Sequence, residues 1–354
     1  MPMTLIPNPN VTSDQADSKD SRAVERAGAL ADLLLEQDRG VYAPHISRIP
    51  AAAMRAWNLD RSRDYLERDP DRVFFIEERG EWKGSAAWMP LPWDSGLFGI
   101  TAARLDWLVA RGDYQNACRV KRKLLGRLLS GCRQAGIKHL TARSDAGDHS
   151  SIHSLEQAGF VLIDGIQTFG LCTDTACQTA RVEETIKVGL FEPWQLDGVL
   201  EIARTAYRFD RFHSDPALSR AVADRIHQEW LRNSCSGGAA DAVVVATANR
   251  QVLGFVTVRI DHALRELTGW GLATIVLVAT AAGCRGRGIG RMTTLGALQW
   301  LRKQKIDYVQ VGTQFSNVSA GRLYEGCGFR LIGASLTFRK LLDSPAEGGG
   351  FECQ

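Results

Sequence analysis

The residues best suited to chemistry in this chain are concentrated in one stretch, Arg285-Gly286-Arg287-Gly288-Ile289-Gly290-Arg291. Glycines at alternating positions let a backbone turn sharply without Cβ clashes and leave several N–H groups exposed where a helix begins. Such amides, with the positive end of a helix dipole, bind phosphate or pyrophosphate. The flanking arginines add charge-assisted donors that a purely structural turn does not need. An apolar, β-branched run, residues 274–280, precedes the loop, and Met292, Leu295, Leu298 and Leu301 follow it at helical spacing. The unit therefore reads strand, tight loop, helix. A dinucleotide fingerprint is excluded because the last glycine comes one residue too soon for G-x-G-x-x-G. A P-loop is excluded because no Lys-Ser or Lys-Thr follows the glycines.

Arg285, Gly288 and Gly290 fit a different pattern: Arg or Gln, two residues, Gly, one residue, Gly or Ala. The stretch resembles the acyl-CoA loop of the GNAT superfamily of N-acetyltransferases. After a strand over 308–315 come Asn317, Ala320, Leu323, Tyr324, Gly328 and Phe329, similar in order and spacing to that family's second cofactor segment. The resemblance implies acetyl-CoA as cofactor, with its pyrophosphate on Arg285, Gly286, Arg287, Gly288, Gly290 and Arg291. It puts the pantetheine arm along Val278 and Thr280 and against Asn317, the thioester carbonyl at the N–H of Val278, and Tyr324 beside the sulfur as general acid. One departure is Ala281-Ala282 where the family often has Asp-Pro, which changes the turn but removes no expected catalytic group. The general base stays open among Asp210, His213, Asp261, His262 and Glu266, or a water chain with positioning supplying much of the rate.

The acceptor implied is a primary amine attacking directly in a ternary complex. Residues 208–216, together with the stretch from Trp93 to Gly99, are similar to the TDP-fucosamine acetyltransferase subgroup, which acts on a nucleotide-linked amino sugar. On that reading Phe209 and Phe212 stack on sugar or base, Arg208 and Arg211 hold a diphosphate, and His213 lies in the same loop. A plain structural loop is the alternative, since loops are where such folds diverge. Other acceptors of the same chemistry are an amino acid, a polyamine, an antibiotic or a protein amine; a polyamine or protein would call for an acidic groove, a nucleotide sugar for a basic and aromatic one. From a different class, the chain could be a regulatory module that binds acyl-CoA without transfer.

The elements that would position these residues follow a repeated order. Residues 23–35 read as a short helix with Ala23, Ala27, Leu30 and Leu34 on one stripe, after a polar tail. Strands are expected at 73–76, 82–89 and 100–110, a helix at 114–134 with Val120, Leu124, Leu128 and Cys132 on its apolar stripe, and a strand at 138–145. Arg119, Lys121, Arg122, Lys123 and Arg127 make the rest of that helix a basic, solvated face. Asp148, Leu155, Gly159 and Phe160 can then be laid over Asn317, Tyr324, Gly328 and Phe329, which points to an internal duplication. The first copy has Leu155 for Tyr324, Asp148 for Asn317, and only Gly112-Asp113 in place of the glycine-rich loop. In the second copy a strand at 186–191, a helix at 194–207, a helix opened by Pro216 under a Ser214 or Asp215 cap, and a hairpin at 242–248 and 252–261 lead to the central strand. The expected fold class is α/β (α+β): tandem GNAT-like domains, each a mixed, mostly antiparallel twisted sheet flanked by helices, with the cofactor site only in the C-terminal one. The boundaries are 1–40 for the tail and short helix, 41–172 for a degenerate domain that buttresses the other, 173–184 for a linker, 185–342 for the acetyl-CoA-binding domain and 343–354 for a flexible end.

With 354 residues, 45% of them hydrophobic and 23% charged, the chain can bury two ordinary cores. A net charge of +3 is too small for general nucleic-acid binding. Eight cysteines without a C-x-x-C pair, and no histidine cluster beside them, argue against zinc and against a disulfide framework. No signal peptide or bilayer-length apolar run is evident. The expectation is a soluble, cytoplasmic monomer or homodimer acting on a small molecule.

Overall fold

The computed structural model describes residues 13–36, 49–174, 185–207 and 210–342. Its first half runs α1 (Ser13–Glu36), α2 (Ala51–Arg68), β1 (Val73–Glu78), β2 (Glu81–Pro90), α3 (Pro92–Phe98), β3 (Ala102–Ala110), α4 (Tyr114–Gln134), β4 (His139–Asp145), α5 (His149–Gln157) and β5 (Val161–Cys172). The second half runs β6 (Lys187–Leu190), α6 (Leu196–Ala206), α7 (Arg211–Ser214), α8 (Arg220–Cys235), β7 (Ala242–Ala248), β8 (Gln251–Ile260), α9 (His262–Thr268), β9 (Leu272–Thr280), α10 (Ile289–Lys303), β10 (Tyr308–Gln314), α11 (Val318–Gly326) and β11 (Arg330–Leu341). The expected mixed sheet flanked by helices is present. Among the described residues no helix is long and apolar enough to cross a membrane.

The repeat extends to the lengths of the elements. β2 and β8 have ten residues each, α3 and α9 seven, β3 and β9 nine, β4 and β10 seven, α5 and α11 nine, β5 and β11 twelve. Both α3 and α9 stop on a left-handed glycine, Gly99 and Gly269, because only a residue without Cβ takes that conformation at no steric cost.

All strands belong to one sheet in the order β1-β2-β3-β4-β11-β5-β10-β9-β8-β7-β6. The last strand of each half has crossed over: β5 pairs with β10, β11 pairs with β4, and β5 and β11 pair with each other. The corresponding residues Ile166 and Ser335 face one another, so a pseudo-twofold axis passes between them. The cores are exchanged with the strands. Phe338 of β11 is packed among Leu124, Leu128 and Leu140 of the first half, and its counterpart Phe169 of β5 among Leu298, Tyr324 and Phe329 of the second. Each phenylalanine contributes about 1.5–3 kcal/mol by its burial.

Several expectations are corrected. α1 begins at Ser13, inside the stretch that composition marks as tail, and its buried stripe is Ala27, Leu30 and Leu33 while Ala23 is exposed. That stripe docks on Val73, Phe75, Ala87 and Val109 of the sheet. α2, α3 and α9 were not anticipated. The expected helix over 194–207 is a short 3-10 turn, Pro193–Gln195, followed by α6. α8 starts at Arg220 under a Ser219 cap that accepts from Val222 N, beyond Pro216. Residues 1–12, 175–184 and 343–354, the greater part of the expected tails and linker, lie outside the described residues.

Asp215, expected as a cap, instead ties the loop after α7 to the first half. Its buried carboxylate lies 2.8 Å from His139 Nε2 on β4 and 3.2 Å from Arg339 Nε on β11, and accepts from Ala217 N at 2.9 Å. Burial alone would raise its pKa, but His139, the Ala217 amide and Arg339 together hold it below the ordinary 3.8. Asp215→Asn removes one partner of a buried ion pair and should cost roughly 3 kcal/mol in urea unfolding at pH 7. Because the folded pKa is depressed, this contribution is present above pH 3.8 and fades as pH falls through the folded-state value, so the gap between variant and wild type should close on acidification. The exchange also predicts that residues 185–354 expressed alone, with β10 edge-bare and β11 unpaired, aggregate or bind a hydrophobic dye, and that co-expression with residues 1–184 restores a folded pair.

Candidate active site

The central opening is made by two strands that part. β9 and β10 pair in parallel from Leu272 and Tyr308 to Ile275 and Val311 and no further, although both strands continue. On the other edge of β9 the register jumps between Ile275 and Leu277, leaving Val276 as a bulge, which bends a strand away from its neighbour. Leu277 N donates to Thr257 Oγ1 of β8 at 3.0 Å. Successive strand amides point to opposite edges, so the N–H of Val278 faces the gap. The first half repeats the device, with β3 and β4 parting after Leu105 and Ala142 and a bulge at Asp106.

At the end of β9 the glycine loop takes the form its spacing suggested, with one refinement. Gly286 and Gly288 have φ of 76° and 78°, left-handed values that bend the chain into α10. Gly290 is helical. A Cβ there would lie 3.3 Å from Leu323 Cδ2 and 3.4 Å from Thr280 Oγ1, so this glycine lets α10, α11 and the end of β9 close up. Gly288 caps α10 without a side chain, and the first helical bond is Met292 N to Gly288 O at 3.0 Å. The N–H groups of Ile289 and Gly290 precede that bond and point out of the helix end. Arg285 and Arg287 are exposed beside them, whereas Arg291 Nε reaches Gly326 O at the end of α11, 3.3 Å away.

The first half has lost each of these features. The chain that forms the loop is there wound into the start of α4, whose end is capped by the Asp113 carboxylate accepting from Asn116 N at 2.8 Å. Lys121 occupies the position of Gly290. It is not on a solvated face as expected but buried, with Nζ 3.0 and 3.1 Å from Asp148, 2.7 Å from Ser150 Oγ and 2.8 Å from Ser151 Oγ. Asp148 is the counterpart of Asn317, so a buried ion pair between α4 and α5 stands where the second half has Gly290 and Asn317.

Asn317 is the cap of α11; its Oδ1 accepts from Ala320 N at 3.3 Å and from Ser319 Oγ at 3.0 Å, leaving the amide hydrogens to offer elsewhere. Tyr324, two helical turns further on, is buried between Phe169 and Phe329, with ring centroids 5.9 and 6.0 Å away. Burial pushes its phenol well above the usual 10.0. Among the described residues its hydroxyl has no hydrogen-bond partner. Tyr207, at the end of α6, feels the charge of Tyr324, which places the two phenols in one electrostatic neighbourhood.

Tyr207 leads to the loop expected to meet the acceptor. Arg208 and Phe209 lie outside the described residues. Tyr207 stacks on His227 of α8 at 4.1 Å between centroids, and its hydroxyl and His227 Nδ1 are buried without a partner. Phe212 is buried against Phe98 at 6.1 Å, so the two stretches singled out in sequence, around Trp93 to Gly99 and around Arg211 to His213, do meet. Arg211 lies 3.9 Å from Asp94. His213 is held at both ring nitrogens, 2.6 Å from Asp210 and 3.0 Å from Asp224, and Asp210 also caps α7.

The remaining base candidates are elsewhere. Asp261 caps α9, His262 is bonded to Asp241 at 2.7 Å and exposed, and Glu266 is exposed. All three stand by the start of β9, about 20 Å along the strand from Val278 at ~3.3 Å per residue. The sequence reading missed Tyr207, His227, and from the first half Arg143 on β4 and Asp164 on β5. Nothing in their local spacing marks them; only the strand exchange brings the last two to this face. Among the described residues no His, Cys, Asp and Glu are grouped as metal ligands would be.

The family described as Acetyltransferase (GNAT) family matches residues 196–329. The chain is 34% identical over 143 residues to the spore coat polysaccharide biosynthesis protein SpsD of Bacillus subtilis, a match covering 40% of this chain and 46% of that protein. It is 23% identical over 236 residues to the dTDP-fucosamine acetyltransferase of Escherichia coli, covering 66% and 89%. The chain thus matches less than half the length of the first of these relatives. In fold it is similar to a tandem GNAT protein from the clavulanic acid biosynthesis pathway, at 15% identity, a TM-score of 0.57, and coverage of 91% of this chain and 96% of that one. The segment that matches the GNAT acetyltransferase family, residues 196–329, runs from the start of α6 through the parted strands to Phe329.

Proposed function

We propose that the chain is an N-acetyltransferase that moves an acetyl group from acetyl-CoA to a primary amine by direct attack in a ternary complex, with the cofactor held only by the second half. The observation that carries this reading is the start of α10 without a side-chain cap, beside the gap between β9 and β10, set against a first half where an acid caps the helix and a Lys121–Asp148 ion pair takes the places of Gly290 and Asn317. Arg285, Gly286, Arg287, Gly288, Gly290 and Arg291 form the pyrophosphate site, the amides and helix dipole doing most of the binding. Val278, Thr280 and Asn317 line the path of the pantetheine arm.

Acetyl-CoA supplies the acyl group as an activated thioester. The N–H of Val278 donates to the carbonyl oxygen as negative charge grows there, an effect worth about 3–4 kcal/mol where one such donor has been removed in other enzymes. Tyr324 keeps its proton at neutral pH because it is buried, and hands it to the departing sulfur. Its retention in the second half, where the first has Leu155, supports transfer over mere binding. Much of the remaining rate comes from positioning, with no side chain assigned as base.

The acceptor is a nucleotide-linked amino sugar. The name of the dTDP-fucosamine acetyltransferase supports this class, and so does Arg211; Arg208, Phe209 and His213 belong to the same loop, whereas Phe212, expected to stack on the acceptor, is buried against Phe98. Gly288→Asp should weaken acetyl-CoA binding at least ~10-fold by calorimetry, because the carboxylate meets the pyrophosphate. Gly288→Asn, which tolerates the left-handed backbone without the charge, should lose much less. With a TDP-linked 4-amino-4,6-dideoxy sugar as acceptor and free thiol as readout, Tyr324→Phe should lower kcat by roughly 10²–10⁴-fold at unchanged acetyl-CoA affinity. Full activity in that variant would exclude Tyr324 as the acid, and no turnover of the sugar by wild type would exclude this acceptor.

A further inference from the structure

We infer that the acceptor carries a phosphate-type anion and that two arginines from different halves of the chain grip it, Arg211 on α7 and Arg143 on β4. The inference rests on the acetyltransferase reading above and assigns the first half a direct part in substrate recognition.

Arg143, Thr337 and Asp164 are paired in register across β4, β11 and β5 and so share one face of the sheet. Leu140, Ala142, Leu336 and Phe338 point into the core under α4; Arg143 and Thr337 alternate with them and face the other way, where α3 and α7 bring Asp94 and Arg211. Arg143 forms no hydrogen bond or ion pair among the described residues and stays open to water. It is nevertheless crowded by protein, which lowers its guanidinium to about 10, and the next influence is the like charge of Arg211.

The neighbouring carboxylates do not cancel the pair. Asp94 stays 3.9 Å from Arg211, Asp210 is taken up by His213 and two backbone amides, and Asp164 accepts from Gly165 N at 2.8 Å and Gln314 Nε2 at 3.5 Å. Between Arg143 and Asp164 the Thr337 hydroxyl is buried without a partner, an unmet polar group in the same row. The duplication does not produce this row by default: the counterparts of Arg143 and Asp164 are Gly312 and Gly333. A guanidinium fork without a carboxylate partner among the described residues, Arg143, beside one in only a long contact with Asp94, Arg211, suits the oxygens of a phosphate or diphosphate, and the pair repels a polyamine or a lysine-rich peptide.

The test uses the full chain saturated with coenzyme A, so that the phosphate loop is occupied, titrated with thymidine 5′-diphosphate by calorimetry. Wild type should bind; Arg143→Ala should bind about tenfold or more weakly, and Arg143→Lys, which keeps the charge but not the fork, should fall between. Coenzyme A affinity should be equal in all three, which a merely structural role for Arg143 would not explain. If Arg143→Ala does not fold, Arg143→Lys and Arg143→Gln carry the comparison. Equal diphosphate affinity in the variants, no diphosphate binding by coenzyme-saturated wild type, or Arg143-dependent binding of glutamate in its place would overturn the inference. Failure of wild type to bind coenzyme A at all would instead overturn the acetyltransferase reading.

Discussion

The antiparallel pairing of β5 with β11 is the constraint on which the rest of the molecule depends. Each of these strands completes the sheet of one half with residues from the other, and each carries a phenylalanine into the opposite core. Neither core is closed by its own sequence, so the halves stabilise one another through main-chain bonds and buried apolar area at once. The same pairing fixes what faces the loop after α7. Thr337 and Arg339 of the second half lie opposite Arg143 and Thr141 of the first, and that loop is anchored on the mixed surface through Asp215, which reaches His139 and Arg339.

Within this frame the two halves differ by small changes at corresponding points. Both part their central strands and both have a bulge there, so the opening belongs to the fold and is not by itself a sign of activity. What differs is whether the opening can be filled. A helix that starts on Gly288 leaves its amides pointing outward, whereas one that starts on Asp113 has already used a carboxylate there. A glycine at 290 lets α10 and α11 pack closely, whereas a lysine at 121 places a buried ion pair between α4 and α5. Charge, side-chain volume and one stretch of helix winding separate the two halves at these points.

Much of this was legible in sequence because it is local. The glycine loop, the segment from Asn317 to Phe329, the duplicated Gly-Phe pair and the apolar stripe of α4 are all patterns within a few turns or one strand, and each takes the local form its pattern suggested. The failures have one cause. Periodicity shows that a segment is a strand and which face is apolar, but not which strand lies beside it, so the exchange of β5 and β11 left no signal and Arg143 could not be placed near Arg211. Lys121 was read as solvated because a charge on a helix usually is; it is buried because Asp148, a residue remote in sequence, meets it. Ser219 rather than Asp215 caps α8 because Asp215 has stronger partners across the sheet.

The pseudo-twofold axis between Ile166 and Ser335 carries a further implication. Two identical chains joined about a true dyad must place the same residue on both walls of whatever lies across it, so a cationic wall on one side is met by a cationic wall on the other. Covalent fusion removes that obligation. Here one side shows Arg143 and Asp164 while its mirror shows Gly312 and Gly333, an inequality that two identical chains could not show. The tandem arrangement thereby turns a symmetric scaffold into a handed surface.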